Sequence, residues 1–321
     1  MSDQDLNLIT LSGLFTDERK ARAFLEAKRW PDGPVCPFCQ SRGAYTLTPK
    51  PGSTKPVRAG VYKCKACRKQ FTVRVGTIFE DSHIPLSKWL AAIHLMTSSK
   101  KGISSHQLSR ELGITLKSAW FLSHRVREAM RQQPLAGMLS GTVEADEAYI
   151  GGKPRPENKP AEGEAPKTKR GRGTEKQPVM VLVERHGSAR AMPIERVDAN
   201  TLKQVIREHV HPSSTIMTDE WTAYQGIGAE FEGGHHTVNH GEQEYVRYTE
   251  DGSEVISTNT GESYFALLKH GHYGVFHQLS KKHLHRYCDE FTFRWDHRKV
   301  TDGERMVAVI RAAKGKRLRY R

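Results

Sequence analysis

At 321 residues the chain exceeds one ordinary domain and suits two or three, at roughly 100–200 residues each. Its 50 Lys and Arg against 36 Asp and Glu leave a formal charge of +14, the footprint of a protein that holds a polyanion. The longest apolar run, Trp89–Met96, falls far short of the roughly 20 residues that span a bilayer, and Met1–Leu6 is acidic and polar where an export signal would be basic and then apolar; a soluble cytoplasmic protein with no membrane partner is expected.

The first segment, 1–80, is rich in turn formers and carries two C-x-x-C pairs, Cys36-Pro37-Phe38-Cys39 and Cys64-Lys65-Ala66-Cys67. Each pair offers two thiolates from one tight knuckle, and four thiolates suit a closed tetrahedral Zn²⁺ that holds a fold and keeps no position open for chemistry. A redox pair is the weaker alternative, since two knuckles occur together in a chain without an export signal. Lys63, Lys65, Arg68 and Lys69 around the second knuckle then face solvent or phosphate. The fifth cysteine, Cys288, stands alone and reads as a small packed hydrophobe.

Residues 81–134 turn helical. Leu86, Trp89, Leu90, Ile93 and Met96 recur at helix spacing, and so do Ala119, Leu122, Val126 and Met130. Ser104–Leu112, the turn Gly113-Ile114-Thr115 and Leu116–Arg131 form a helix-turn-helix pattern. With Ala119, Leu122 and Val126 turned inward, Lys117, Ser118, Phe121 and Arg125 are the candidate DNA contacts, against the alternative of a plain helical hairpin with a basic outer face.

From 135 to 321 the pattern is a mixed sheet flanked by helices. Strands are expected over Thr142–Ile150, Pro178–Glu184, Ala189–Val197 and Ser214–Thr218, with helices over Thr201–Val210, Thr260–His270 and Lys281–Arg298. A polar insertion, 153–177, holds almost nothing apolar and reads as a mobile hairpin tip; its Lys169-Arg170-Gly171-Arg172 is either a phosphate contact or simply solvated. Strand alternation puts Glu144 and Asp146 on one face and Val143, Ala145 and Glu147 on the other. Asp219 ends a short apolar strand, where open sheets gather ligands. Glu262 and Lys269 lie seven residues apart, on nearly the same side of a helix, so that Glu262 can bind a metal while Lys269 steadies a nearby phosphate.

The knuckles, Asp146-Glu147-Ala148-Tyr149-Ile150-Gly151-Gly152, Thr218-Asp219-Glu220, Asn259-Thr260-Gly261-Glu262 with Lys269, and the tail strings Tyr273–His277 and His283–Phe291 together resemble the zinc-ribbon, DDE-type insertion-sequence transposases of the ISXO kind, over nearly the whole chain. The resemblance implies a multi-domain α/β protein: zinc ribbon, helix-turn-helix and an RNase H-like catalytic domain. Asp146, Asp219 and Glu262 would be ligands of two Mg²⁺ or Mn²⁺ ions, and Lys269 would position DNA. Relatives vary the third ligand, so Asn259 stands beside Glu262 as its alternative. The implied activity is cleavage at the ends of a bacterial element and joining of the freed 3′-hydroxyls to target DNA, by a homo-oligomer on double-stranded DNA in the nucleoid. Two rivals remain. A DNA-binding regulator would keep the body and leave its catalysis unused; a tyrosine recombinase would use His283, Arg286 and Tyr320 but leave the carboxylates unexplained.

Overall fold

The computed structural model describes residues 2–49, 56–131, 137–151, 176–249, 252 and 254–319. The basic stretch Lys169–Arg172 and the candidate nucleophile Tyr320 lie outside the described residues. The chain divides into two compact units, Met1–Arg131 together with Lys299–Arg321, and Gln132–Arg298.

The first unit opens with two helices, α1 (Leu8–Thr16) and α2 (Glu18–Arg29). The Asn7 side chain accepts from the backbone N–H groups of Ile9 and Thr10, and Asp17 accepts from those of Arg19 and Lys20. These are N-caps that satisfy donors a helix start leaves unpaired. Only Leu11 of α1 and Ala21 and Leu25 of α2 are buried, so the apolar signal is thin and the sequence reading saw nothing here but a turn-rich module. A three-stranded antiparallel sheet follows, β1 (Ala44–Thr46), β2 (Tyr62–Cys64) and β3 (Gln70–Phe71), with β2 in the middle. Trp30, Tyr62 and Phe71 pack ring on ring, with centroids 5.5–5.9 Å apart, beside Cys36 and Cys64.

The expected helices of 81–134 are present as α3 (Leu86–Ser98), α4 (Ser105–Leu112) and α5 (Leu116–Met130). Ser104 caps α4 and Thr115 caps α5, each through its hydroxyl. The last helix, α9 (Asp302–Ala312), was assigned with the rest of 135–321 to the catalytic domain, yet Lys299–Arg321 groups with the first unit. The reason is packing: Met306, Val307, Val309 and Ile310 are buried as α9 lies against α2, α3 and α5. Beyond it the buried Lys316 donates to the carbonyls of Ala129 and Arg131 at the end of α5 (2.8 and 2.5 Å), satisfying acceptors that a helix C-terminus leaves open.

The second unit is built on five strands, β4 (Thr142–Ile150), β5 (Gln177–Glu184), β6 (Ala189–Pro193), β7 (Thr215–Asp219) and β8 (His235–Val238), in the order β6-β5-β4-β7-β8. The first three are antiparallel, while β4, β7 and β8 run parallel. Helix α6 (Ala199–His209) carries the chain from β6 across to β7. This is the RNase H-like arrangement. A two-residue pair, β9 (Arg247–Tyr248) with β10 (Val255–Ile256), precedes α7 (Asn259–Gly271) and α8 (Leu284–Asp296). Val143, Ala145, Met180 and Leu182 turn to one face, against Leu202, Ile206 and Tyr224. Ala148, Ile150, Val179, Val181 and Val183 turn to the other, against α7 and α8, where Cys288 is fully buried. Among the described residues no helix is long and apolar enough to cross a membrane.

Candidate active site

The four knuckle cysteines form one cluster, their sulfurs all within 4.8 Å of one another. The Cys36–Cys67 and Cys39–Cys64 Sγ distances are both 3.6 Å, close to the edge of about 3.8 Å that a tetrahedron of Zn–S bonds near 2.3 Å requires. The two knuckles repeat one backbone design. Gln40 N–H bonds back to Cys36 O and Arg68 N–H to Cys64 O, with Gln40 and Arg68 both in the left-handed region at φ 60° and 61°. The backbone N–H of Cys67, aided by the Cys39 thiol, lowers the Cys64 thiol, while against the Lys69 N–H bond burial and the sulfurs of Cys36, Cys39 and Cys64 raise that of Cys67. The donor set and its spacing fit structural zinc.

The carboxylates come together through the sheet. Strands β4 and β7 are parallel, with Thr142 opposite Thr215 and Glu144 opposite Met217, and Asp146 and Asp219 each lie two residues beyond the last of these pairs. Asp146 is half-buried, and its carboxyl is pushed up to about 7. Desolvation is the first cause, and the charges of Glu147, Asp219 and Glu262 add to it against the Glu147 N–H bond that opposes it. Glu147 points away from Asp146, as alternation requires, and accepts the Tyr224 hydroxyl at 2.6 Å. Hard oxygen donors crowded until one of them resists ionising make a donor set that fits a divalent cation. Among the described residues these oxygens are spread wider than the four sulfurs.

The third carboxylate is delivered by the start of α7, and Glu144 controls that start. The N-cap Thr258 makes no side-chain cap. Instead the fully buried Glu144 accepts from Thr260 N (2.7 Å), Gly261 N (3.1 Å) and Thr260 Oγ1 (3.0 Å). Its charge is met by Arg185 Nε at 2.7 Å. Arg185 in turn donates to Ser257 O and Oγ, and to Val255 O, tying the approach to α7 onto the end of β5. Gly261 fits this close approach: a Cβ there would stand 3.2 Å from Cβ of Asp146. Glu144 was seen in the sequence as the face-mate of Asp146 but given no role; nothing local marks its helix-capping partners, 116 and 117 residues away.

Glu262 follows, on the first turn of α7, half exposed, with Oε1 3.6 Å from Nε2 of His240. His240 also lies 3.1 Å from Thr258 Oγ1, and its backbone N–H donates to Glu220. Asn259 is exposed at the head of the helix, where its carbonyl accepts from Ser263. Lys269, two turns beyond Glu262, is exposed with its Nζ 5.7 Å from the Phe265 ring centroid. The sequence reading missed Arg185 and His240.

Of the candidate DNA contacts, Lys65, Arg68, Lys69 and Lys117 are exposed, Ser118 is half-buried beside the Thr115 cap, and Lys69 lies over the Phe38 ring at 4.9 Å. Arg125 is a correction. It is buried, its guanidinium donating to Glu80 O (2.7 Å) and Leu318 O (3.1 Å) and lying 5.0 Å from the Phe121 ring. Helix α5 is buried on all sides from Leu122 to Arg127, so only its first turn is open to a ligand.

Residues 16–70 match the family described as transposase zinc-ribbon domain, and residues 138–296 match the ISXO2-like transposase domain. The chain is 29% identical over 309 residues to an uncharacterized protein in transposable element ISH50 of Halobacterium salinarum, covering 93% of this chain and 98% of that one. Among solved structures, the Mos1 strand transfer complex is similar at 12% identity and a TM-score of 0.27 over 72% of this chain and 79% of that one; the Mos1 transposase paired-end complex with left transposon end gives 13% and 0.26 over 70% and 79%. Superpositions that loose carry no residue correspondence. With both domains matched in order, the chain is similar to transposases that join a zinc ribbon to an ISXO2-like transposase domain.

Proposed function

We propose that this transposase cleaves DNA at the ends of its element and joins the resulting 3′-hydroxyls to target DNA, with Asp146, Asp219 and Glu262 as the metal-binding carboxylates. The observation that carries the reading is the half-buried Asp146, raised to about 7 within reach of the charges of Asp219 and Glu262. Two Mg²⁺ or Mn²⁺ ions held there supply activation of the attacking oxygen and stabilisation of the leaving oxygen in an in-line displacement.

The chain's own residues set the geometry for two successive displacements at phosphorus. Water first replaces the 3′ oxygen at the element's end. The freed 3′-hydroxyl then attacks a target phosphodiester and expels the target's 3′ oxygen, so one bond breaks for each that forms. Glu144 and Arg185 hold the first turn of α7 against β4, which fixes Glu262 relative to Asp146. Lys269 steadies the DNA phosphate from the same helix. Structural zinc on Cys36, Cys39, Cys64 and Cys67 keeps the ribbon folded, and Lys65, Arg68, Lys69, Lys117 and Ser118 contact double-stranded DNA, which is bound by a homo-oligomer. Cleavage and joining of an end-bearing duplex in Mg²⁺, lost in EDTA, is the expected result. Binding without either reaction would identify instead a DNA-binding regulator.

A further inference from the structure

The first unit contains a cavity of about 480 Å³ between the head of α2, the strand region of the ribbon and the approach to α3. Six charged side chains line it: Arg22, Arg58 and Arg74, and Glu18, Glu80 and Asp81. The acids are already engaged. Glu18 accepts from Leu86 N and Ser87 N at the start of α3, both at 3.0 Å, and pairs with Arg74 at 3.2 Å. Glu80 accepts Gly76 N (2.9 Å) and pairs with Arg317 at 3.1 Å, and Asp81 pairs with the same guanidinium. Arg74 is spent as well, donating to Ser82 O and Ile84 O in addition to Glu18.

Two cations are left over. Among the described residues neither Arg22 nor Arg58 forms an ion pair, and Glu26, whose carboxyl feels the Arg22 charge, accepts the Tyr62 hydroxyl. Residues 50–55, outside the described set, contain no Asp or Glu in their sequence. Burial first, and then the charges of Arg58 and Arg22, lower the Arg74 guanidinium against the paired Glu18, which raises it. The backbone is shaped around this cluster: at Gly60, φ +76°, a Cβ would stand 2.5 Å from Cδ of Arg22, so the Arg22 stem lies where any other residue would intrude.

We infer that this cavity is a binding site for a backbone phosphate of duplex DNA, engaged by the guanidinia of Arg22 and Arg58 and walled by the satisfied Arg74–Glu18 pair. The inference rests on the reading of the chain as a DNA transposase and adds a phosphate contact that none of the knuckle or helix-turn-helix residues supplies. An arginine fork matches a phosphate bidentately, and a site that reads phosphate alone carries no sequence preference.

The test uses the full zinc-loaded chain and two labelled duplexes of unrelated sequence, with affinity measured across a salt series. In Arg22→Gln/Arg58→Gln, which keeps the stems and removes both charges, affinity falls about tenfold for both duplexes near 0.1 M salt. The slope of log K against log salt becomes shallower by about one, the signature of one lost phosphate contact. Ala59→Glu, at the exposed lip of the cavity, supplies a counter-charge without removing either arginine and weakens binding in the same way. Should the double variant fail to retain zinc or its melting transition, the Ala59→Glu chain decides alone. An unchanged slope in a folded variant, or a loss confined to one duplex, overturns the phosphate site. Failure of the unaltered chain to bind either duplex overturns the DNA reading itself, and the site with it.

Discussion

The thiolate and carboxylate sites are built by opposite routes. Each pair of cysteines lies within one local turn that repeats the same hydrogen bond and the same left-handed residue, so each turn presents half of the tetrahedron. The carboxylates share no such local frame. Asp146 and Asp219 follow a parallel strand pairing, Glu262 arrives on a helix anchored by Glu144, and the charges of Asp219 and Glu262 raise the Asp146 carboxyl. A site made from local turns tolerates a plastic surrounding; a site made from three elements depends on the fold around it.

The largest effects should come from removing one carboxylate charge. Asp146→Asn or Asp219→Asn is expected to depress end cleavage and strand joining together by on the order of a thousandfold, about 4 kcal/mol in activation free energy, while duplex affinity is retained. Near-normal joining by either variant places the chemistry elsewhere. The third ligand divides the same assay: Glu262→Gln should match the aspartate variants and Asn259→Ala should not, and the reverse pattern makes Asn259 the ligand.

Next is the local site. Cys64→Ser, or zinc removal by a chelator, should unfold the ribbon and weaken DNA binding while the strands of the second unit keep their melting transition. Loss of both transitions together would show that the ribbon is no local module. Glu144→Gln tests the opposite dependence. The amide would set its NH2 against either the Thr260 and Gly261 N–H groups or Arg185 Nε and leave the half-buried Arg185 without its charge partner, at a cost of about 3 kcal/mol in unfolding experiments on the second unit, with cleavage falling alongside. Cleavage at the wild-type rate in a destabilised Glu144→Gln chain would separate helix anchoring from catalysis. The smallest change is expected at Lys269→Ala, roughly tenfold in joining, since it loosens a phosphate without disturbing a ligand.

Much of this was legible in the sequence, and the failures share a cause. The cysteine spacing, the turn Gly113-Ile114-Thr115 and the β-branched run of β4 are short-range signals, and the structure contains their elements close to where they were expected. The face-sharing of Glu144 and Asp146 followed from period two alone. What was missed is decided by distant partners. Arg125 looks like a surface cation on a recognition helix until Leu318 and Glu80 carbonyls cover it. Strand β8 is four residues, His235–Val238, two of them histidines, and becomes a strand because β7 offers an unpaired edge. Helices α1 and α2 are held by caps and a few apolar side chains, too little periodicity to stand out from turns.

The position of α9 has a consequence for how the chain is made. Because Lys299–Arg321 belongs with Met1–Arg131, the sheet-bearing unit is an insertion within the other, and a ribosome delivers the whole of it before the first unit receives its closing helix. A nascent chain therefore presents α3 and α5 without Met306, Val307, Val309 and Ile310 to cover them, and without Lys316 to close the end of α5. The sheet-bearing unit can mature early during synthesis. The other is completed only once residues 299–321 emerge, so a message broken before codon 299 yields a sheet-bearing unit attached to an unfinished partner.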